Sequence, residues 1–430
     1  MEYLEVYVLI ISFLFFLIIG MPVAYSVGLS SLLTILVNIE TVAAFTTITQ
    51  RMATGLDSFA LLAIPFFVLA GQIMNQGGIA TRLIAFAKAL VGSFPGGLAY
   101  VNIIGAMLFG AISGSAMAAV SAIGGTLGPR MEKEGYERSY SAAVNIVSST
   151  TGLVIPPSNI LIVFSLASGG ASIAALFLAG YIPGILMGLA LMIVAAVYAK
   201  INNYPKGEQT TFKNFLFTFV DALPSLMMLI VVIGGIVAGI FTATEASGVA
   251  VLYTLVLSAI YKELTKEKIS QILIGSFSTT AIVMLLIACS MSMSWVMAYA
   301  DIPQSVTDAL LSISENKIVI LLLINLILLF VGIFMDMTPA VLIFTPIFLP
   351  IVTKLGMDPV HFGIVMVMNL CIGLCTPPVG SVLFVGIGIA DISLEKVIKP
   401  LIPLFIAMIC VLLAVTYIPE LSLFLPNLFE

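Results

Sequence analysis

The chain has 430 residues, of which 61% are apolar and 9% are charged, and its mean hydropathy is +1.22. This composition excludes a water-soluble globular protein of this length and indicates a polytopic, all-α membrane protein. The net charge of −5 comes with scattered bases, which gives no basic patch for nucleic acid. A Gly-Lys dipeptide is absent from the sequence, so it contains no P-loop for ATP.

The first elements follow from the length of apolar runs. A bilayer core of about 30 Å needs roughly 20 apolar residues per helix, so residues 4–20, 22–38 and 57–75 are predicted to cross the membrane. No base precedes the first run, so we expect a retained helix rather than a signal peptide. Residues 79–91 carry Arg82 and Lys88 on an otherwise apolar helix, which is typical of an arm helix lying at the membrane interface.

The next segments are not simple crossings. Two short apolar pieces between 97 and 128 flank Ser113-Gly114-Ser115, which predicts a re-entrant hairpin with its tip at the serines. Residues 139–167 are predicted to cross with a break at Pro156-Pro157, because proline removes a backbone donor and clashes with the preceding turn. A crossing at 171–199 and a polar connector at 200–213 complete the first half.

The second half repeats this order. Its predicted elements are crossings at 218–241, 245–261 and 271–300, an arm at 303–313, a hairpin at 317–352 with its tip at 335–339, a broken crossing at 361–390 and a last crossing at 400–418. An apolar, proline-punctuated tail follows.

The two halves are related by a constant offset. Residues 129–157 align without a gap on residues 350–378 (350 − 129 = 221), and the matched pairs include Gly152/Gly373 and Pro156/Pro377. Each half has five predicted crossings, an odd number, so equivalent elements face opposite sides of the membrane. The sequence therefore predicts an inverted repeat, which in secondary transporters places the binding site at paired broken helices.

The bases indicate the orientation of the chain. With the N-terminus outside, thirteen of the sixteen Lys and Arg residues fall on the cytoplasmic side. The positive-inside rule favours this arrangement. The first hairpin is then expected to enter from the cytoplasm and the second from outside.

The hairpin tips and the Pro-Pro breaks are the candidate site. The offset places Ser115 opposite Asp336 (115 + 221 = 336), and we expect both tips and both breaks to meet near the middle of the membrane. Unwound backbone at this depth must be shielded by protein or line a cavity. Its carbonyl and hydroxyl oxygens suit Na⁺, whereas the helix N-termini suit an anion. No Arg or Lys occurs inside the predicted spans, so an anionic substrate would need bound cations there.

Simpler roles remain open for several of these residues. The small residues of the first tip also permit close helix packing. An ionisable residue at membrane depth, such as Asp336, is by default functional. The hydroxyls of Ser158, Thr338 and Thr376 could instead satisfy backbone groups freed by the breaks. We expect His361, the only histidine, to have a structural or capping role, and the four cysteines to be free thiols without a metal site.

Two rival functions are an intramembrane serine protease and an ion channel. Ser113-Gly114 in a membrane hairpin, with His361 as a base, would suit an intramembrane serine protease. An ion channel would require an open polar path. The repeat argues against the protease, because the position equivalent to Ser115 is an aspartate, and two tips meeting at mid-membrane fit an occluded site better than a channel.

Three stretches resemble a known family. They are GMDPVHFGIVMVMNLCIGLCTPPVG at 356–380, GIFMDMTPA at 332–340 and FTATEASGVA at 241–250. These stretches closely resemble the large membrane subunit of TRAP (tripartite ATP-independent periplasmic) transporters, and the likeness covers essentially the whole chain. Many members have an arginine before the second arm, where this sequence reads Met297-Ala298-Tyr299-Ala300.

The resemblance implies a function. It implies a bacterial inner-membrane, Na⁺-driven importer of organic anions that is not an enzyme. It also implies two partners, a small four-helix membrane subunit and a periplasmic substrate-binding protein, and an elevator mechanism. The family's tip serines fall on Ser113 and Ser115, and its essential aspartate falls on Asp336. No residue names the substrate, and sialic acid is placed slightly ahead of C4-dicarboxylates.

These considerations define the expected site and domains. The residues expected to bind Na⁺ are Ser113, Gly114, Ser115, Gly152, Pro156, Gly332, Met335, Asp336, Thr338, Thr376 and Pro377. The residues expected to bind substrate are Ser115, Ser158, Asn159, Asp336, Val379 and Gly380. The expected domains are scaffold helices at 1–78, 169–300 and 392–430, arm helices at 79–92 and 301–316, and transport-domain segments at 93–168 and 317–391.

Overall fold

The computed structural model describes residues 4–207 and 211–429, and it is all-α over these residues. In the first half, the helices are α1 (Leu4–Ile18), α2 (Val23–Ile35), α3 (Thr41–Leu56), α4 (Ala63–Gln76), α5 (Ile79–Val91), α6 (Gly97–Ser113), α7 (Ala116–Lys133), α8 (Arg138–Thr151), α9 (Asn159–Ala167) and α10 (Ile173–Ile201). A short 3₁₀ helix, Phe59–Leu62, precedes α4.

The helices of the second half follow the same order. They are α11 (Phe212–Val237), α12 (Ala243–Ile260), α13 (Lys266–Tyr299), α14 (Ile302–Ile313), α15 (Lys317–Phe334), α16 (Met337–Lys354), α17 (Pro359–Leu374), α18 (Ser381–Ala390), α19 (Leu394–Tyr417) and α20 (Glu420–Phe429). Eight stretches of helix within the described residues are long and apolar enough to cross a membrane. The polytopic all-α fold predicted from composition is therefore confirmed.

Helix pairs, short helices and interrupted helices lie over the residues predicted as hairpins, arms and broken crossings. The hairpin helices keep the offset of 221 to within one residue, since α7 begins at 116 and α16 begins at 337 (116 + 221 = 337). Two helices were not predicted, α3 and α20, and α20 lies in the expected tail. Helix α3 occupies the stretch between the second and third expected crossings, and with α4 it is the counterpart of the 34-residue α13, because 41 + 221 = 262 and 76 + 221 = 297.

The helices pack in two groups. In the first group, α4 packs on α12 and α13, α13 also packs on α2 and α3, and α12 packs on α11. In the second group, the hairpins pack on the broken helices, α6 and α7 against α8 and α15 against α17. Helices α10 and α19 pack on each other and on α8 and α17. By their packing, α10 and α19 belong with the hairpins. The predicted domain boundaries instead placed both helices in the scaffold, within residues 169–300 and 392–430.

Glycines bring each hairpin against its broken helix. A Cβ on Gly152 would lie 2.5 Å from the Cα of Gly110, and one on Gly373 would lie 2.5 Å from the Cα of Gly332. Real Cβ atoms do not come this close to backbone, so only glycine fits at these crossings. The two contacts fix how deeply each hairpin tip reaches into the protein.

The first arm, α5, is fastened to the scaffold by Arg82. Its Nε lies 3.2 Å from a carboxylate oxygen of Asp221, its Nη1 donates to the Gly78 carbonyl at 2.9 Å, and its guanidinium lies 3.5 Å from the ring centre of Tyr261. Nearby, Glu263 accepts a 2.6 Å hydrogen bond from the Lys268 ammonium, which lowers the pKa of that carboxyl. The arm thus joins α11 and the turn between α12 and α13.

Candidate functional site

Four helices begin at one place in the protein. Each hairpin supplies one helix start, at Ser115 for α7 and at Asp336 for α16. Each broken helix supplies another, just before Asn159 for α9 and just before Ser381 for α18. Because helix N-termini carry partial positive charge and unpaired N–H groups, their convergence creates an environment that favours an anion.

A cavity of about 350 Å³ lies at this convergence. Its polar lining comes from the tips and helix starts and from one scaffold residue, and comprises Ser115, Asn159, Thr279, Asp336, Thr338 and Ser381. Apolar residues of α4 and α13, including Ile64, Val68 and Ile282, close the opposite wall. The volume lies in the range of small-molecule sites, and the cavity sits between the two groups of helices.

The side chains that line this cavity carry negative charge and no positive charge. Asp336 is the one carboxylate among the lining residues, and none of them is Lys, Arg or His. Asp336 is exposed to the cavity. An anion could bind here only if helix ends and bound cations outweigh the repulsion from Asp336.

The two tips share a backbone plan but differ in chemistry. Ser115 caps α7 by accepting a 3.2 Å hydrogen bond from the Ala118 N–H, and Asp336 accepts one at 2.9 Å from the Met337 N–H. Gly114 has φ +62, and a Cβ on it would lie 2.8 Å from Nδ2 of Asn159. This glycine lets the first tip turn in the left-handed region and come close to the start of α9.

The two breaks are also alike. Both Pro156-Pro157 and Pro377-Pro378 have cis peptide bonds. The hydroxyl of Ser158 donates to the Leu153 carbonyl at 2.5 Å, and the hydroxyl of Thr376 donates to the Ile372 carbonyl at 2.7 Å. In this structure these two hydroxyls therefore satisfy backbone carbonyls beside the breaks, which is the simpler of the roles considered for them.

The structure brings part of the expected site together. Gly114, Ser115, Asn159, Asp336 and Thr338 line the cavity. The expected residues outside its lining are Ser113, Gly152, Pro156, Ser158, Gly332, Met335, Thr376, Pro377, Val379 and Gly380. Several of these shape the surrounding backbone: Gly152 and Gly332 form the glycine contacts, and Gly380 has its N–H bonded to the Thr376 carbonyl at 3.1 Å.

Sequence reasoning missed two polar residues of the cavity. Ser381 begins α18 directly after the second break, so its position next to Gly380 was a usable signal. Thr279 lies in the middle of α13, where nothing local marks it. It reaches the cavity because α13 packs on α16.

Residues 10–421 match the family model of the DctM component of tripartite ATP-independent periplasmic transporters. The chain belongs to this family. It is therefore the large permease of a TRAP transporter, a multi-pass membrane protein rather than an enzyme. TRAP large permeases reside in the bacterial inner membrane and work with a small membrane subunit and a periplasmic binding protein.

Named relatives extend over nearly the whole chain. It is 57% identical to the uncharacterized protein YgiK of Salmonella typhimurium, over 100% of this chain and 99% of the relative. It is 41% identical to the isethionate TRAP transporter permease DctMQ of Oleidesulfovibrio alaskensis, over 96% of this chain and 65% of the relative. It is 36% identical to the C4-dicarboxylate large permease DctM of Rhodobacter capsulatus, over 95% and 96%.

A solved structure supports the fold. The chain superposes on the crystal structure of the Alcanivorax borkumensis YdaH transporter with a TM-score of 0.64 and 12% identity, over 86% of this chain and 87% of that one. The protease alternative is not favoured, because the family is a transporter family. The His361 ring also contacts the Ser422 hydroxyl and lies 3.4 Å from the Thr416 carbonyl, instead of facing a hairpin tip.

Proposed function

We propose that this TRAP permease imports an organic anion together with Na⁺. The observation that carries this proposal is the cavity where four helix starts meet and Asp336 supplies the charge. An anion needs positive charge in such a place, and the lining residues supply none as Lys, Arg or His. Bound Na⁺ would supply it and would neutralise Asp336, so both solutes bind more tightly together than alone.

Different helix ends bind the two solutes. The ends of α6 and α15, which lead into the tips, and the ends of α8 and α17, which lead into the breaks, present carbonyl oxygens to Na⁺. The N–H groups at the starts of α7, α9, α16 and α18 face the anion. Asp336 and Thr338 of the second tip add side-chain oxygens for Na⁺, and Ser115 does the same at the first tip.

The two packing groups suit an elevator movement. One wall of the cavity is formed by hairpins and broken helices and the other by α4 and α13. We propose that α6–α10 and α15–α19 move together as the transport domain past the remaining helices. Including α10 and α19 in this domain follows from their packing on α8 and α17.

The substrate is proposed as a small organic anion. The relatives' substrates, isethionate and C4-dicarboxylates, are a sulfonate and carboxylates, so a negative charge is what they share. Helix N-termini bind either group. No lining residue favours sialic acid over these smaller anions, and the expected sialic acid substrate stays a prediction.

The N-terminus is proposed to lie in the periplasm, as the distribution of bases favours. Single cysteines at Lys206 and Lys266 should then react with an impermeant thiol reagent from the cytoplasmic side only, and one at Lys354 from the periplasmic side only. The reverse pattern would overturn the proposed orientation.

The decisive experiment is reconstitution. The permease with its small subunit and binding protein, in proteoliposomes, should accumulate isethionate or succinate only under an inward Na⁺ gradient, when both are tested as radiolabelled substrates. Accumulation driven equally well by K⁺ would contradict Na⁺ coupling. ATP supplied without an ion gradient should have no effect.

A further inference from the structure

A polar face runs along α8 on the side that meets the first hairpin. Ser141, Asn145 and Ser148 lie at positions i, i+4 and i+7, so they share one face of the helix. Their exposed fractions are 4%, 4% and 0%. Buried polar side chains are normally hydrogen-bonded, so such a face within a membrane protein calls for partners.

Two atoms of this face lack such partners. Asn145 donates from Nδ2 to the Val120 carbonyl at 2.8 Å, but its Oδ1 has no partner among the residues that the structure describes. The Ser141 hydroxyl is likewise unpartnered over that part of the chain. Both residues line a cavity of about 50 Å³ between α7, α8 and α18, beside Gly124 and Gly128. About 10 to 15 Å³ suffices for a water molecule, so this side chamber has room for water on unpaired oxygens.

The side chamber adjoins a large open cleft. A cavity of about 1010 Å³ lies between the start of α8 and the segment joining α18 and α19, and it shares Arg138 with the side chamber. The cleft carries three acidic residues, Glu137, Asp391 and Glu395, and three basic ones, Arg138, Lys396 and Lys399, so its formal charges balance. The Arg138 guanidinium lies 3.8 Å from the carboxylate of Glu132, which also lines the side chamber. An ion pair thus stands between the cleft and the chamber.

The inner end of the polar face leads to the first hairpin. The Ser148 hydroxyl donates to Oδ1 of Asn102 at 2.9 Å, and the next residue on this face is Gly152 at the start of the break. From Ser141 to Gly152 the helix rises roughly 16 Å at 1.5 Å per residue. In this conformation the close contact between Gly110 and Gly152 closes the inner end.

The second half keeps only the innermost member of this face. Offset by 221, Ser141 corresponds to Phe362 and Asn145 to Met366 (141 + 221 = 362; 145 + 221 = 366), and both of these are fully buried and apolar. Ser148 corresponds to Asn369 (148 + 221 = 369), which is buried and polar. The two residues that line the side chamber are therefore specific to the half whose hairpin the base distribution places toward the cytoplasm, and the repeat itself does not account for them.

We propose that the side chamber is a hydrated site through which Na⁺ leaves the first hairpin for the cytoplasmic cleft. The inference rests on the proposed Na⁺ coupling. Asn145 Oδ1 and the Ser141 hydroxyl replace part of the hydration shell of the ion, and Gly124 and Gly128 leave space for it because they have no side chains. The open cleft receives the hydrated cation at the outer end.

Silver ion tests the access of a cation to this chamber. Ag⁺ is a monovalent cation of similar size to Na⁺, and it binds a thiol with release of the thiol proton. The permease complex, with its four native cysteines replaced by alanine and uptake verified, would carry Ser141→Cys in inside-out vesicles. Protection of the introduced thiol from N-ethylmaleimide after unfolding, read by mass spectrometry, reports Ag⁺ binding without any transport assay.

Ala143→Cys is the matched control, because Ala143 is fully buried at similar depth on α8 and does not line the chamber. Ag⁺ applied from the cytoplasmic side should protect the thiol of Ser141→Cys at least tenfold faster than that of Ala143→Cys. Equal rates, or no protection of either, would overturn the hydrated chamber. This outcome is independent of whether transport is coupled to Na⁺.

Asn145→Leu tests the role of the chamber in transport. Leucine is similar in size and removes the unpaired oxygen together with the Nδ2 hydrogen bond to Val120, so turnover of uptake should fall about two- to tenfold. Na⁺ binding at the hairpin tips, measured at equilibrium with ²²Na⁺, should stay unchanged, since the variant leaves the tips intact and the chamber holds the ion only in passage. Wild-type turnover would overturn the exit route. If instead the wild-type complex takes up substrate without Na⁺, the coupling proposal fails, while the Ag⁺ result still stands or falls on its own.

Discussion

The two halves of the permease use the same backbone devices around the cavity. In each half a hairpin tip and a cis Pro-Pro break supply a helix start, and a glycine contact holds the hairpin on the broken helix. The side chains placed on this backbone differ. The first tip carries Ser115 where the second carries Asp336, and α8 presents Ser141 and Asn145 where α17 presents phenylalanine and methionine.

This difference separates two requirements. The shape of the cavity depends on helix ends, and these are duplicated with an offset of 221 residues. The proposed handling of ions and water depends on side chains, and these differ between the halves. A substitution at a shared backbone position should therefore damage either half equally, whereas a substitution at a tip should have effects that depend on the half.

The largest effect is expected at the glycine contacts. Gly152→Val and Gly373→Val would each place a side chain 2.5 Å from backbone of the facing glycine, where neither chain can move away. Overpacking typically costs about 1 to 3 kcal/mol and occasionally more, and contact with backbone places these variants at the upper end. Both variants should lose the folded, monodisperse protein in size-exclusion chromatography with fluorescence detection.

Gly125→Val is the control for this prediction, because a Cβ at Gly125 meets nothing within 4 Å. It lies in α7, so it also reports the effect of placing valine on a hairpin helix. A folded Gly152→Val protein beside a damaged Gly373→Val protein would show that the two contacts are not equivalent.

The next effect is expected from Asp336→Asn. The substitution keeps the size of the side chain and an oxygen that can cap α16, but it removes the charge facing the cavity. A charge-assisted contact contributes about 1.5 to 3 kcal/mol, so the apparent affinity for Na⁺ should fall ten- to a hundredfold. Uptake measured against Na⁺ concentration gives this shift, and high Na⁺ should restore transport. Normal uptake at low Na⁺ would show that the aspartate is structural.

Ser115→Ala should have a smaller effect on the same measurement. It removes one neutral oxygen, worth about 0.5 to 1.5 kcal/mol, so the affinity for Na⁺ should fall about two- to tenfold. It also removes the cap of α7. Ser115→Asp separates these effects, because aspartate caps a helix as well as serine does and makes the first tip like the second. A larger loss for Ser115→Ala than for Asp336→Asn would contradict the assigned roles of the tips.

The features predicted from sequence are those with local causes. Pro156-Pro157 and Pro377-Pro378 break their helices whatever the tertiary contacts around them. The chain turns at Ser113-Gly114-Ser115 because Gly114 adopts the left-handed conformation. Helix α3 was missed because its threonines, glutamine and Arg51 interrupt the apolar run that marks a crossing. Its place in the repeat can be recognised only by comparison with α13, its uninterrupted counterpart in the second half.

The features missed from sequence depend on distant contacts. Helices α10 and α19 resemble any other apolar crossing, and their place beside the hairpins follows from packing on α8 and α17. Thr279 enters the cavity in the same way, through the approach of α13 to α16. Hydropathy records that a helix is in the membrane, but not which neighbour it packs against.

The smallest effect is expected where the two arms differ. Arg82 fastens the first arm, whereas the equivalent position of the second arm is Pro303 (82 + 221 = 303), which cannot form such contacts. Arg82→Lys keeps the charge but loses the planar guanidinium that pairs with Asp221 while lying over the Tyr261 ring. The half-exposed ion pair and the ring contact together contribute about 0.5 to 1 kcal/mol, so the thermal unfolding midpoint should fall by a few degrees at most. Gln304→Ala on the second arm, which removes only exposed 3.3 Å hydrogen bonds with Asp308 and Lys354, is the control and should leave the midpoint unchanged. If Arg82→Lys also leaves the midpoint unchanged but slows uptake, then the fastening of the first arm serves the movement of the transport domain more than the stability of the resting protein.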